Sequence, residues 1–236
     1  MKTIDVHTKL GDVVNVHPAL ARELERRGLD YCCGGGRTLE EACDAAGLDP
    51  ETVAGNLAQA CVPSDPAPWT AMNLVALADH IEAVHHQYLW DELPRLDALL
   101  EKVVGVHGER HPELAAVAAV FAELRADLEP HLMKEERVLF PMIRELATAQ
   151  ELPSFHCGSV ANPITVMMRE HDAAGEMLQR LRAATDDYSA PADGCISYRR
   201  CYEGLAELEA DTHLHIHKEN NVLFPMVARR EQLVAR

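Results

Sequence analysis

The sequence predicts an all-α protein, an up-and-down four-helix bundle preceded by a small helical module. Three observations carry that reading. First, the stretch from His131 through Glu135 to Leu139, Phe140, Pro141 and Met142 returns 84 residues later as His215, Glu219, Leu223, Phe224, Pro225 and Met226. Second, each copy follows another histidine at nearly the same distance, 45 residues after His86 and 44 after His171. Those two histidines also share their surroundings, since Leu93, Arg95 and Leu96 after His86 match Leu178, Arg180 and Leu181 after His171. Third, apolar residues recur at helical spacing from Trp69 onward, and no stretch alternates as a strand would.

The repeated unit is therefore a helix carrying one histidine, a connection, and a helix carrying His and Glu four residues apart. On a helix such a pair lies one above the other on a single face. Two units aim four imidazoles and two carboxylates at matching heights of a bundle core, where di-metal sites are built. The candidate metal ligands are His86, His131, Glu135, His171, His215 and Glu219. Imidazole and carboxylate without cysteine suit iron, manganese or zinc, and a pair of metals bridged by two carboxylates suits iron best. The spacing departs from the Glu-x-x-His of oxygen-rich bundle sites. A histidine-rich set leaves each metal fewer anionic ligands and an open position for O2, NO or peroxide.

The elements follow in order. His17 and Pro18 open a helix that Gly28 closes. Thr38 and Glu41 have capping-box spacing, and Asp49 and Pro50 read as an N-cap and first residue of a helix through Ala60. Residues 1–62 thus form a small helical domain, residues 63–68 a proline-rich linker (the extended stretch itself starting at Val62), and residues 69–236 the bundle. Leu74, Leu77, Ile81, Val84 and Tyr88 stripe the first long helix, which Pro94 kinks and Gly105 ends. Pro112 starts the second, striped by Leu114, Val117, Val120, Phe121 and Leu124. Residues 150–163 connect it to a third helix from about Pro163 to Thr185. The fourth runs from about Tyr198 to Arg230, with Leu205 and Leu208 on its inner face. The proline of each Leu-Phe-Pro-Met is expected to bend its helix or let it end.

Composition narrows the function. The formal net charge of −16 argues against attraction to nucleic acid or an anionic membrane. No apolar run approaches the ~18 residues a membrane helix needs. The first residues show no apolar core of a signal peptide, and 7 cysteines are an odd number, so a disulfide framework is not expected. Together these predict a cytoplasmic protein; they leave monomer and homodimer open.

Among the cysteines, Cys32 and Cys33 stand out. They lie between Asp30 and the run Gly34, Gly35 and Gly36, in a loop ahead of a helix, where accessible thiolates are favoured. They are the candidate catalytic pair, able to receive iron, react with NO or exchange disulfides; the alternative is two small residues in a tight turn. Cys43, Cys61, Cys157, Cys195 and Cys201 show no ligand spacing. Asp127 and Asp211 stand four residues before His131 and His215, and either accept a ring proton from a ligand imidazole, line an iron path or face solvent. His85 aligns with Glu170, not with a ligand. His213 and His217 point to other faces, towards solvent or a neighbouring helix. His107 lies 21 residues past His86, about 31 Å along a continuous helix, and is held apart from the ligands.

The cysteine motif from Asp30 to Gly35, the Leu93-Pro94 context after His86 and the two Leu-Phe-Pro-Met copies resemble the iron-sulfur cluster repair family over essentially the whole chain. That resemblance implies an N-terminal domain of the ScdA type with a vicinal cysteine pair and a hemerythrin-like bundle. It also implies an oxo- or hydroxo-bridged di-iron centre on the same six residues. The family's histidine matching His107 is sometimes counted with that centre. Hemerythrins proper carry one more histidine four residues after the position of His171, where this chain has Gly175. The departure leaves one iron less protected and argues against a simple oxygen carrier. The function implied is repair of iron-sulfur proteins damaged by NO or peroxide, by iron released from a labile site. Reduction of NO or O2 at the same centre is one alternative, and a non-enzymatic sensor or carrier is another.

Overall fold

A computed structural model describes residues 4–61 and 67–235, so the expected linker lies, through residue 66, outside the described residues. The helices are α1 (Leu10–Val16), α2 (Ala21–Glu25), α3 (Leu39–Ala46), α4 (Pro50–Ala60), α5 (Leu74–Ile81) and α6 (Gln87–His107). They continue as α7 (Glu113–Lys134), α8 (Phe140–Thr148), α9 (Ala161–Ala184), α10 (Ile196–Lys218) and α11 (Phe224–Val234). Among the described residues there is no strand, only two isolated bridges, Lys9 with Thr38 and Phe155 with Gly158. The chain is all-α, as its periodicity predicts.

Two compact units emerge, the first made of Met1–His80, Ile143–Ser154 and His213–Arg236. Its N-terminal stretch follows the sequence signals closely. Pro18 opens a short 3-10 turn leading into α2, and Gly28 reverses the chain at φ 67°, a backbone state that costs glycine little. Both halves of the capping box at α3 form: the Glu41 N–H donates to Thr38 Oγ1 at 3.2 Å and the Thr38 N–H to Glu41 Oε2 at 2.9 Å. Asp49 caps α4 by accepting from the Thr52 N–H at 2.9 Å. Leu10, Val14, Leu24, Leu39 and Leu57 are completely buried and form the core of this stretch.

The second unit, Ile81–Met142 with Phe155–Thr212, is a four-helix bundle. Its ion pairs and contacts close a ring and give its direction. Between α6 and α7, Asp97 meets Arg125 and Trp90 meets Glu136, so one helix ascends as the other descends. Between α7 and α9, Arg180 meets Glu123 at 2.9 Å and His171 meets His131, again antiparallel. Arg182 of α9 holds Glu209 of α10, and Gly204 of α10 lies against Leu96 of α6. The ring is thus up-and-down. Leu93, Leu96, Leu114, Val117, Phe121, Leu124, Leu178, Leu181, Leu205 and Leu208 fill its centre with no exposed surface. Each such burial is worth about 1.5–3 kcal/mol, which holds the histidine-bearing helices in register.

Two helix ends lie beyond expectation, and the last helix reaches Val234 rather than about Arg230. Gly105 does not end α6, which runs through both Pro94 and Gly105 to His107. A helical glycine costs only about 1 kcal/mol. Continued burial of Val103 and His107 offsets that.

The prolines behave in a way the sequence did not suggest. Pro141 and Pro225 neither end nor sharply break their helices. Instead Glu135–Leu139 and Glu219–Leu223 each form one π-turn, closed by the Phe140 N–H on the Glu135 carbonyl and the Phe224 N–H on the Glu219 carbonyl. Proline has no N–H, and its ring would strike the carbonyl four residues back in an α-helix. A wider turn immediately before it moves that carbonyl aside. A third π-turn, Glu82–His86, ends on His86. Three candidate ligands therefore sit in π-turns, a feature that concentrates at functional sites.

Candidate metal centre

In the four-helix unit the structure brings His86, His131, Glu135 and His171 together. Glu135, with no exposed surface, places Oε2 3.3 Å from His86 Nε2 and 3.3 Å from His131 Nε2. His171 Nε2 lies 3.2 Å from His131 Nε2 and 3.9 Å from Glu135 Oε1. His131, Glu135 and His171 each offer one ligand atom, all within 4.8 Å of one another. In the other unit His215 Nε2 is 3.4 Å from Glu219 Oε1, and both side chains are buried.

The far nitrogens of two rings show which tautomer is held. His131 Nδ1 is 2.9 Å from Glu170 Oε2, and His86 Nδ1 is 3.1 Å from Glu136 Oε1, which also accepts from the Trp90 indole N–H at 2.8 Å. A hydrogen bond from His131 and the ammonium of Lys134 hold the Glu170 carboxyl down to about 2, so it is ionised and can only accept. His131 Nδ1 and His86 Nδ1 therefore carry the protons. Their Nε2 lone pairs are left facing the Glu135 carboxylate at 3.3 Å, acceptor towards acceptor. A cation between them resolves that arrangement. Ligand atoms about 3 Å apart are what neighbouring ligands of one first-row metal require at bond lengths of ~2.0–2.2 Å. This donor set fits a metal.

Comparison with known proteins agrees with that geometry. The hemerythrin HHE cation binding domain matches residues 77–227, which include all six candidate ligands. A domain of unknown function named for the N-terminal part of ScdA matches residues 6–61. The iron-sulfur cluster repair protein YtfE of Enterobacter sp. (strain 638) is 36% identical, covering 92% of this chain and 94% of the relative. The chain belongs to the iron-sulfur cluster repair family. A probable iron-sulfur cluster repair protein of Haemophilus influenzae is 35% identical over 93% of this chain and 96% of its own. YtfE of Escherichia coli O8 is 33% identical over 92% and 94%. This repair-family member thus carries a cation-binding bundle of the hemerythrin type.

Several residues singled out in the sequence lie elsewhere. Asp127 is exposed and orients no ligand ring. Asp211 instead meets His85 Nδ1 at 2.8 Å, and His85 is buried outside the cluster. His213 is half-buried, and His217 does not face solvent. His213 Nδ1 is 3.3 Å from Glu25, while His217 is fully buried, with Nε2 3.0 Å from Asn15 Oδ1 and Nδ1 3.4 Å from the Tyr31 carbonyl. Burial pushes the His217 imidazole down to about 4, so it packs as a neutral ring. His107 is buried too, against Cys195.

Glu136 and Glu170 were missed. Each adjoins a candidate ligand in sequence, and each meets the ring of a candidate ligand on another helix, a relation that only packing reveals. The repeat itself breaks here, because the second copy has Asn220 at the position of Glu136.

The cysteine loop also differs from expectation in part. Asp30 organises it: Oδ1 accepts from the N–H of Cys32 at 3.0 Å and of Cys33 at 2.9 Å, and Oδ2 from that of Gly34 at 2.8 Å. The Cys32 thiol also donates to Asp30, at 3.2 Å. Asn221, two residues past Glu219, donates to the Cys32 carbonyl at 2.8 Å and the Tyr31 carbonyl at 3.2 Å. Gly35 is required at this closeness, since a Cβ there would come within 2.5 Å of Asn221. Cys33 is partly exposed, but Cys32 is buried, and both thiols are free, with sulfurs 3.9 Å apart. The Cys33 thiol, burial and the nearby Asp30 charge hold the Cys32 thiol well above the ordinary range, hence protonated. Exchanging the carboxylate for a neutral amide, Asp30→Asn, should therefore speed alkylation of Cys32 at neutral pH severalfold. Rates of iodoacetamide labelling, resolved by peptide mass, check this; an unchanged Cys32 rate would remove Asp30 as its brake.

Proposed function

We propose that His86, His131, Glu135, His171, His215 and Glu219 hold two iron ions, with the two carboxylates shared between them. The protein then repairs iron-sulfur clusters damaged by nitrosative or oxidative stress by donating this iron. The observation that carries the reading is the buried Glu135 carboxylate with three imidazole nitrogens 3.3–3.9 Å away. The internal repeat extends it to His215 and Glu219, and the matched cation-binding domain spans both copies. Bound there, iron supplies a labile, reducible ion.

The chain's own groups set how tightly it is held. Only two carboxylates oppose the charge of two ions, and the remaining ligands are imidazoles, of which His86 and His131 keep their protons on the Glu136 and Glu170 sides. Such a set binds ferrous iron weakly, which suits a donor. The free thiols of Cys32 and Cys33 are soft ligands on a loop clamped by Asn221, two residues from Glu219. They suit a relay of iron or of thiol chemistry to a client. Damaged iron-sulfur proteins are the expected clients, and NO, O2 and peroxide the expected small ligands. No helix among the described residues is long and apolar enough to cross a membrane, and the cytoplasm is the proposed location.

One observation favours a second reading, reduction of NO or O2 at the same centre. A Cβ built at Gly175, one turn beyond His171, meets no atom within 4 Å, so no side chain fills that position. Incubating the iron-loaded protein with an NO-damaged [4Fe–4S] enzyme separates the two. The donor predicts recovered activity in proportion to iron lost from this protein. Recovery without iron loss, accompanied by steady NO consumption in the presence of a reductant, would overturn it in favour of the reductase.

A further inference from the structure

His107 and Cys195 stand outside the six candidate ligands and outside the cysteine loop. Cys195 is exposed, and its carbonyl accepts from the Arg199 N–H at 3.1 Å, which makes it the N-cap of α10. His107 Nε2 lies 3.1 Å from its sulfur, and the amides of Tyr198 and Ser197 in the first turn of α10 favour its charged form. His107 is only 3% exposed, and its Nδ1 is 3.4 Å from an Arg110 guanidinium nitrogen. Guanidinium can only donate, so Nδ1 is the acceptor and Nε2 carries the hydrogen aimed at the sulfur. An imidazole N–H aimed at the sulfur, with the ring oriented from its other nitrogen, favours the charged thiolate.

We propose that Cys195 and His107, oriented by Arg110, form a reactive thiolate site that takes low-molecular-weight disulfides and becomes S-thiolated. The Cys195 thiolate attacks one sulfur of the disulfide. A new sulfur–sulfur bond forms as the reagent's own breaks, and the second sulfur leaves with the electron pair and takes a proton from solvent. No further oxidant is needed.

The surroundings favour this cysteine over its neighbours. Amide bonds from Tyr198 and the His107 hydrogen bond draw its pKa down to about 7, near the optimum for an attacking thiol at neutral pH. The other charges facing it are occupied: Asp193 with His111 at 3.1 Å and Arg110 at 3.6 Å, and Glu113 with His111 at 3.0 Å. By contrast Cys32, Cys43 and Cys201 are buried and their thiols are pushed up, with burial a cause at each.

The test uses the full chain and oxidised glutathione, read by intact mass and peptide mapping, with an aromatic disulfide to follow rate against pH. The first adduct should fall on Cys195, with a rate midpoint near pH 7. His107→Gln should move that midpoint upward. It should also slow Cys195 at pH 7 by about two- to fourfold, because the lost thiolate fraction is partly offset by greater nucleophilicity. Cys195→Ser should abolish the first adduct while iron content stays the same. Should His107→Gln fail to fold, the wild-type profile decides alone. A first adduct on Cys33, Cys61 or Cys157, or a Cys195 midpoint at the ordinary value of about 8.5, would overturn the proposal.

Discussion

Glu135→Leu is expected to leave fewer than two iron ions per chain, and Glu219→Leu to do the same. Each carboxylate stands on a π-turn with an imidazole nitrogen 3.3–3.4 Å away, and neither has any exposed surface. Leucine fills a similar volume without a donor atom. Replacing a buried charge by an apolar group does not by itself weaken a fold, so the metal-free variants should melt no lower than the metal-free parent. What they should lose is the gain in Tm that the parent shows on adding ferrous iron, because a ligand stabilises in proportion to its binding. Iron by colorimetric assay and thermal scans with and without iron read both effects. Full loading of both variants would refute the roles assigned to these acids.

The second large effect concerns residues that touch no metal. Glu170→Ala and Glu136→Ala each remove the acceptor that holds a ring proton, on His131 and His86 respectively. Without it the imidazole can turn or carry its proton on Nε2, the atom proposed to bind the metal. Loss of such a partner costs typically 10–100-fold in metal affinity. Competition for ferrous iron with a chromogenic chelator should show a drop of that order in each variant while helix content stays constant. Unchanged affinity in both would mean that packing alone orients the rings.

Much of this was legible in the sequence because a repeat constrains it twice. The His-x3-Glu spacing, the matching upstream histidines and the apolar stripes placed all six candidate ligands on helices, and four of them meet in one unit. Local signals with a single-residue mechanism also succeeded, as at the Thr38 capping box, the Asp49 cap and the Gly28 turn. The failures have a common cause. Glu136, Glu170 and the His107–Cys195 pair act across helices, and a residue's neighbour on another helix is set by packing rather than by spacing. Pro141 and Pro225 were read as bends or ends because proline usually is one; the π-turn ahead of each is a tertiary solution with no composition of its own. The glycines around Cys32 predict an accessible thiolate, yet the Cys33 thiol, burial and the Asp30 carboxylate that shapes the loop keep the Cys32 thiol protonated.

Iron stoichiometry of the wild-type chain, loaded anaerobically with ferrous iron and freed of excess, is the most direct measurement. The account predicts two ions per chain that interact magnetically, and that depart together when a chelator is added. One isolated ion per chain, or two that survive loss of both Glu135 and Glu219, would contradict it.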